Sequence, residues 1–265
     1  MNSPVSQEND PLSLLARGLA QNPLSSDSQI ARLRTAVMEW DQHNWASALA
    51  YWLPWLPPGP ASARRVLTVG ERSGGLSLWF ASLGFQVTCT DYDPFPPTLE
   101  SGHRSWGVQD RIEYQHADVY KLPFESGTFD IVACKSVLGG LKVDYRDSST
   151  RSLENQKPAV AEIHRVTKPG GAFFGAENML GSRLHQRLRS RKLGKRIGWR
   201  HLSPSELPLL FEPLEESEFR FHGLLGSRWS DTRAQRAAAR FDSLLSRWVP
   251  RSWNYIAFIR ARKES

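Results

Sequence analysis

The segment 66–94, VLTVGERSGGLSLWFASLGFQVTCTDYDP, limits the fold of this chain more than any other stretch. An apolar strand, 65–69, runs into the turn Gly70-Glu71-Arg72-Ser73-Gly74-Gly75. A helix follows with an apolar face made of Leu76, Leu78, Trp79, Phe80 and Leu83, and a second strand, 85–90, ends in Asp91. This is a β-turn-α-β unit. Its glycines let the backbone pass close to a ligand, and the helix N-terminus offers unpaired N–H groups to an anion. Asp91, about 20 residues beyond the first glycine, is placed to accept ribose hydroxyls, so the unit suits an adenosine-containing cofactor. The turn is not a clean GxGxxG, and a nucleotide-free α/β domain with a tight turn remains an alternative at this point.

Strand and helix signals keep alternating beyond Asp91. A helix is expected over 98–106, a strand over 111–116 followed by Asp118, and a strand over 129–134 that ends at Lys135-Ser136. A helix over 156–166 and a strand over 172–176 deliver Glu177 and Asn178. Such alternation implies an α/β fold with a doubly wound, mostly parallel sheet and helices on both faces, which binds ligands beyond the carboxyl ends of its strands. Ser203-Pro204-Ser205-Glu206 reads as a helix start, and 218–222 and 253–260 as closing strands around a helix over 231–248. Upstream, residues 1–28 read as a loosely held tail. From 29 to 53, Ile30, Leu33, Val37, Trp40, Trp45, Leu49 and Trp52 recur at helical spacing before WLPWLPPGP breaks the helix. This arm is either a lid over the cofactor or a helix packed on the sheet flank. The expected division is a tail and arm over 1–60 and one domain over 61–265.

Only two cysteines occur, Cys89 and Cys134, each inside an apolar strand run, so a disulfide framework is not expected and a reducing cytoplasm suits the chain. No clustered histidines and acids suggest a metal, no apolar run approaches bilayer length, and the first residues lack the features of a signal peptide. The net charge of +7 is concentrated: Arg183, Arg187, Arg189, Arg191, Lys192, Lys195, Arg196 and Arg200 lie in an acid-free stretch, and the remaining chain is near neutral. Leu180, Leu184 and Leu188 recur through it, so a helix over 179–192 with an apolar stripe and a cationic face is expected. That face suits phosphates of a lipid-linked or nucleotide-linked acceptor or anionic headgroups at a membrane surface; a solvated cap helix is the plainer alternative. Clustered cations also suit RNA, but no RNA-binding motif accompanies them, and nucleic acid is not the expected partner.

The order of VGERSGG, CTDYDP, ADVYKLPFESGTFDIV and EIHRVTKPGG resembles the class I S-adenosylmethionine-dependent methyltransferases over residues 65–178, and GGLSLWFA, CKSVLGGL and AENMLGSRLHQRLR look like members found with bacterial polysaccharide and glycolipid synthesis. The resemblance implies a Rossmann-like sheet with an antiparallel C-terminal edge, S-adenosyl-L-methionine as cofactor, and a basic cap over 178–202. By position it implies that Gly70, Glu71, Arg72 and Gly74 cradle the methionine part, Asp91 binds the ribose, Tyr92 lies near the adenine, and Asp118 with Val119 meets the adenine amino group. Lys135 and Ser136 would open onto the reacting centre. Two departures, Thr68 in place of an acid and Arg72 in place of a glycine, fall where the cofactor's aminocarboxylate lies. Arg72 either pairs with that carboxylate or faces solvent.

Methyl transfer needs alignment above all, and a hydroxyl nucleophile also needs a proton acceptor. Glu177 and His185 are the candidate catalysts, with Asn178, Arg187, Arg200 and His201 on the acceptor side. The expected activity is methyl transfer to a small-molecule, sugar or lipid-linked acceptor, most simply at oxygen, in the cytoplasm or at the inner face of the membrane. A methyltransferase-like binding module without turnover and a nicotinamide-dependent oxidoreductase are the competing readings.

Overall fold

A computed structural model describes residues 27–141, 153–187, 200–224 and 232–265. Among them, seven strands form one sheet in the order β3-β2-β1-β4-β5-β7-β6. The strands are β1 (Arg65–Val69), β2 (Gln86–Asp91), β3 (Ile112–His116), β4 (Phe129–Lys135), β5 (Thr167–Asn178), β6 (Glu216–His222) and β7 (Ile256–Arg262). β1 to β5 run parallel, whereas β7 pairs antiparallel with both β5 and β6. The expected doubly wound, mostly parallel sheet with an antiparallel edge is therefore the observed one.

The helices are α1 (Asp27–Met38), α2 (Gln42–Trp45), α3 (Ser47–Trp52), α4 (Gly75–Ser82), α5 (Thr98–Ser105), α6 (Lys157–Val166), α7 (Glu206–Leu210) and α8 (Thr232–Leu245). Central strands are apolar on successive residues because both sheet faces are covered. Neighbouring residues of one strand enter opposite cores: Val66, Ile131 and Phe174 pack on one face with Trp45, Trp52, Trp79 and Phe80, while Leu67, Val132 and Phe173 pack on the other with Ile163 and Phe211. Phe174 stacks on Trp52 at 5.8 Å, and the Trp52 indole N–H donates to the Ile259 carbonyl at 3.0 Å, so the large aromatic of α3 is both buried and polar-satisfied.

Two segments differ from the sequence expectations. The arm is not one helix: it breaks between α1 and α2, where Glu39 (φ 64°) and Asp41 (φ 41°) adopt left-handed backbone. Helical spacing continues across that break, so periodicity alone cannot reveal it. Its large residues Leu33, Val37, Trp45, Leu49 and Trp52 enter the same core as α4, and the stretch that follows Val37 reaches the glycine turn. Among the described residues of the basic segment, 183–187 are helical, and Leu180 and Leu184 of the expected apolar stripe are exposed. Leu188 and the cations from Arg189 to Arg196 lie outside the described residues, as do the 1–26 tail and the stretch 225–231.

Candidate active site

β1 and β2 end side by side, and the turn between β1 and α4 passes over both. Gly70 (φ 67°) and Gly74 (φ 72°) hold left-handed backbone that only glycine adopts without strain. A Cβ at Gly70 would stand 2.5 Å from the Val137 side chain, and one at Gly74 would stand 2.5 Å from His103 and Leu99. One at Gly75 would strike the Val37 carbonyl of the arm. The Arg72 N–H donates to Asp91 Oδ2 at 2.7 Å and the Asp93 N–H to Asp91 Oδ1 at 2.8 Å. Two backbone donors thus fix the Asp91 carboxylate at the strand end, and each oxygen keeps acceptor capacity for a further hydroxyl.

Tyr92 stands exposed beside Asp91, its ring 5.7 Å from that of His116. Asp118, just beyond β3, is half-buried and accepts the Tyr120 N–H at 2.9 Å. Gly70, Asp91, Tyr92 and Asp118 therefore gather along the carboxyl ends of β1, β2 and β3, in the order in which an elongated adenosine ligand would meet them. Arg72 projects its side chain outward from the turn.

Three residues expected around the cofactor, Glu71, Val119 and Lys135, and the nearby Thr68 make their contacts within the protein. The Glu71 carboxylate is turned inward, buried, and accepts the Ser77 N–H at 2.8 Å, so it caps α4 from inside. Burial pushes its carboxyl up to about 7 against the pull of that N–H and of Lys135. Thr68 is likewise interior, its hydroxyl 2.6 Å from that of Ser77. Val119 is a core residue packed with Leu122. Lys135 points to the arm: its ammonium donates to the Met38 carbonyl and to Glu39, each at 3.1 Å, and lies 4.3 Å from the centre of the Trp40 ring. It clamps the α1–α2 break over the glycine turn. Only long-range packing could reveal that role, since Glu39 lies 96 residues away.

At the ends of β4 and β5, Ser136 has φ 58° and its hydroxyl accepts the Asn178 amide at 2.5 Å. Glu177, a candidate proton acceptor from sequence, is fully buried. Its Oε1 accepts the Val137 and Leu138 N–H groups, both at 2.8 Å, and burial pushes its carboxyl up to about 7. It holds the turn after β4 in place through Oε1, while Oε2 is buried. Arg200 also serves the structure: it is ion-paired with Glu206 and bonded through its backbone to Gly139. His201 is half-buried beside it, and Arg187 is exposed on the 183–187 stretch.

His185 lies on the 183–187 helical stretch. Half-buried, its ring stacks on that of Tyr255 at 4.7 Å and 6° between planes. Tyr255 opens a polar network that no sequence pattern singles out. Its hydroxyl donates to Asp41, and Asn44 donates to Asp242 at 3.1 Å and reaches the Tyr255 hydroxyl at 2.8 Å. His222 Nε2 lies 3.1 Å from Asn44 Oδ1; since an amide oxygen only accepts, that nitrogen carries the proton. Burial pushes Asp41 up to about 7 and His222 down to about 4, so burial favours the neutral form of both. The network joins the arm, β6, α8 and β7 at the end of the sheet where Asn178 and His222 both pair with Ile256. Among the described residues no group of histidines, cysteines and acids is arranged to hold a metal.

Comparison with known proteins agrees with this geometry. A family model described as "Methyltransferase domain" matches residues 67–175. A demethylmenaquinone methyltransferase of Clavibacter sepedonicus is 31% identical over 118 residues, covering 44% of this chain and 42% of that protein. The sterol 4-C-methyltransferase strm-1 of Caenorhabditis elegans is 32% identical over 111 residues, covering 41% and 29%. The chain thus spans less than half the length of these relatives. Among solved structures, phosphoethanolamine N-methyltransferase 2 of Haemonchus contortus in complex with S-adenosyl-L-methionine aligns with a TM-score of 0.56 at 17% identity, covering 83% of this chain and 53% of that one, a likeness of fold. That solved structure holds S-adenosyl-L-methionine, and the fixed Asp91 carboxylate and the glycine turn of this chain fit a ligand of that chemistry.

Proposed function

We propose that this chain, which through residues 67–175 belongs to the class I S-adenosylmethionine-dependent methyltransferases, transfers the methyl group to a hydroxyl of an acceptor with an apolar body, small or lipid-linked. The carrying observation is the Asp91 carboxylate, fixed by two backbone donors beside a left-handed glycine turn. Bound there, the cofactor supplies an electrophilic methyl on a sulfonium. Asp91 takes the ribose hydroxyls, Asp118 and Tyr92 flank the adenine, and the backbone of the glycine turn meets the methionine end. Arg72, extended from that turn, pairs with the aminocarboxylate. Residues 37–40, clamped by Lys135, keep water from that end.

On the acceptor side, His185 receives the hydroxyl proton. The buried position of Glu177 leaves it as the sequence candidate that borders solvent, and stacking on Tyr255 fixes its ring. The exposed Leu180 and Leu184 favour an apolar acceptor, and Arg183 and Arg187 beside them favour one that carries phosphate or lies at an anionic surface. Release of S-adenosylhomocysteine, measured with prenylated and phenolic hydroxyl acceptors, tests this. His185→Ala is expected to lower kcat by about 10²-fold or more with an unchanged KM for the cofactor. Unchanged turnover would remove His185 from the reaction, and no turnover on any acceptor despite cofactor binding would favour a binding module.

A further inference from the structure

The helix α8 and the turn that follows it connect β6 to β7. Because β6 ends at His222 and β7 begins at Ile256, and both lie opposite each other beside Asn178, this connection sits at the carboxyl end of the sheet, the end that carries the cofactor crevice. Its inward face is short and polar: Ala238 and Ala239 are buried, Asp242 is fully buried against Asn44, and the Ser246 hydroxyl accepts the Gly223 N–H at 3.0 Å.

The outward face has the opposite chemistry. Phe241, Leu244 and Trp248 are 50%, 65% and 81% exposed, and Trp253 in the next turn is 51% exposed. Arg236, Arg240 and Arg247 are exposed along the same side, and Arg251 follows before Trp253. At 3.6 residues per turn Arg236, Arg240, Leu244 and Phe241 of α8 share about 140° of arc, cations on one edge and large apolar groups on the other, and Arg247 and Trp248 follow in the turn after the helix. From residue 236 to 253 the acids number one, Asp242, and it faces the core. Large side chains left in water at this density mark a surface that is covered in use. Aromatics that combine an apolar body with a polar edge, beside arginines and without an exposed acid, match the boundary between headgroups and acyl chains of an anionic membrane.

We propose that the outward face of α8, with Trp253, seats the protein on an anionic phospholipid bilayer. Asp242 anchors the helix to Asn44 from behind, which presents the face at the carboxyl end of the sheet. Among the described residues no helix is long and apolar enough to cross a membrane, and the association is peripheral. This deepens the reading above, in that an apolar acceptor would be drawn from the bilayer, but the docking surface stands on its own chemistry.

Co-sedimentation with phosphatidylglycerol-containing vesicles and with pure phosphatidylcholine vesicles tests it, with S-adenosylhomocysteine titrated into the same preparations. Wild type is expected to sediment with the anionic vesicles and to remain in solution with the neutral ones. Replacing Phe241, Leu244 and Trp248 together by Gln should weaken binding by about tenfold or more. Replacing Arg236, Arg240 and Arg247 by Gln should cost about fivefold per arginine at low salt and less as salt rises. All six side chains are exposed, and unchanged cofactor affinity would show that both variants remain folded. Anionic-vesicle binding by the apolar variant equal to wild type would overturn the proposal, as would absence of wild-type binding or retention of an RNA oligonucleotide in place of vesicles. Loss of cofactor binding in wild type would instead defeat the methyltransferase reading and leave the vesicle result standing.

Discussion

Two regions at the carboxyl end of this sheet, the crevice at β1 and β2 and the network at β6 and β7, are held together in different ways. At the crevice, the Asp91 carboxylate is fixed by backbone N–H groups two and nineteen residues away, and the turn owes its path to glycines at left-handed φ. At β6 and β7, side chains hold side chains across most of the chain: Asn44 to Asp242 and to Tyr255, His222 to Asn44, and Tyr255 to Asp41. A backbone-built site tolerates the loss of a single side chain because its donors remain. A buried side-chain network does not, since each deletion leaves several polar groups without partners in a low-dielectric interior.

The largest contrast is expected at Asn44. Asn44→Ala strips a partner from Asp41, Asp242 and His222 at once, and should lower stability by about 3 kcal/mol or more in denaturant unfolding. Asp91→Ala, whose partners can be rehydrated at the crevice mouth, should change stability by less than about 1 kcal/mol. Equal losses at the two sites would erase the contrast.

A smaller effect sharpens it through pH. Asp41 is pushed up from 3.8 to about 7, chiefly by burial, with the Tyr255 and Asn44 bonds pulling it down and Asp242 pushing it further up. The folded state therefore binds more protons than the unfolded state between these values. The stability contributed by protonated Asp41 is fully present below about pH 4 and is lost as pH rises towards 7, by at most about 1.4 kcal/mol per pH unit. Asp41→Asn removes that slope. The stability difference between variant and wild type should shift in favour of the variant as pH rises from about 4 to 7, and parallel curves in unfolding experiments would show that Asp41 is ionised throughout.

How far each region was legible in the sequence follows from the same difference. The order of elements, the turn at Gly70–Gly75 and the placement of Asp91 and Asp118 at strand ends are local patterns, written within a few residues of the groups they position. The break at Glu39–Asp41 was hidden because helical spacing runs through it. Lys135 looked like a site residue because it ends a strand, and only the packed arm shows that its charge is spent on Met38 and Glu39. Glu177 illustrates the same limit: a strand-end acid can point into the crevice or beneath the next turn, as Glu177 does, and spacing does not distinguish the two. Asn44, His222 and Tyr255 carry no local signal, because apart from the Asn44–Asp41 bond their network partners are 178 to 214 residues distant.

The crevice carries the functional reading, and Asp91 tests it most directly. Titration calorimetry should compare S-adenosylhomocysteine and NAD on the wild-type protein, and S-adenosylhomocysteine on Asp91→Ala. Wild type is expected to prefer S-adenosylhomocysteine, and the variant to bind it about 10- to 150-fold more weakly, as loss of an ionic acceptor worth about 1.5–3 kcal/mol requires. Equal affinity of variant and wild type, or preference for NAD, would contradict the assignment of this crevice to S-adenosylmethionine.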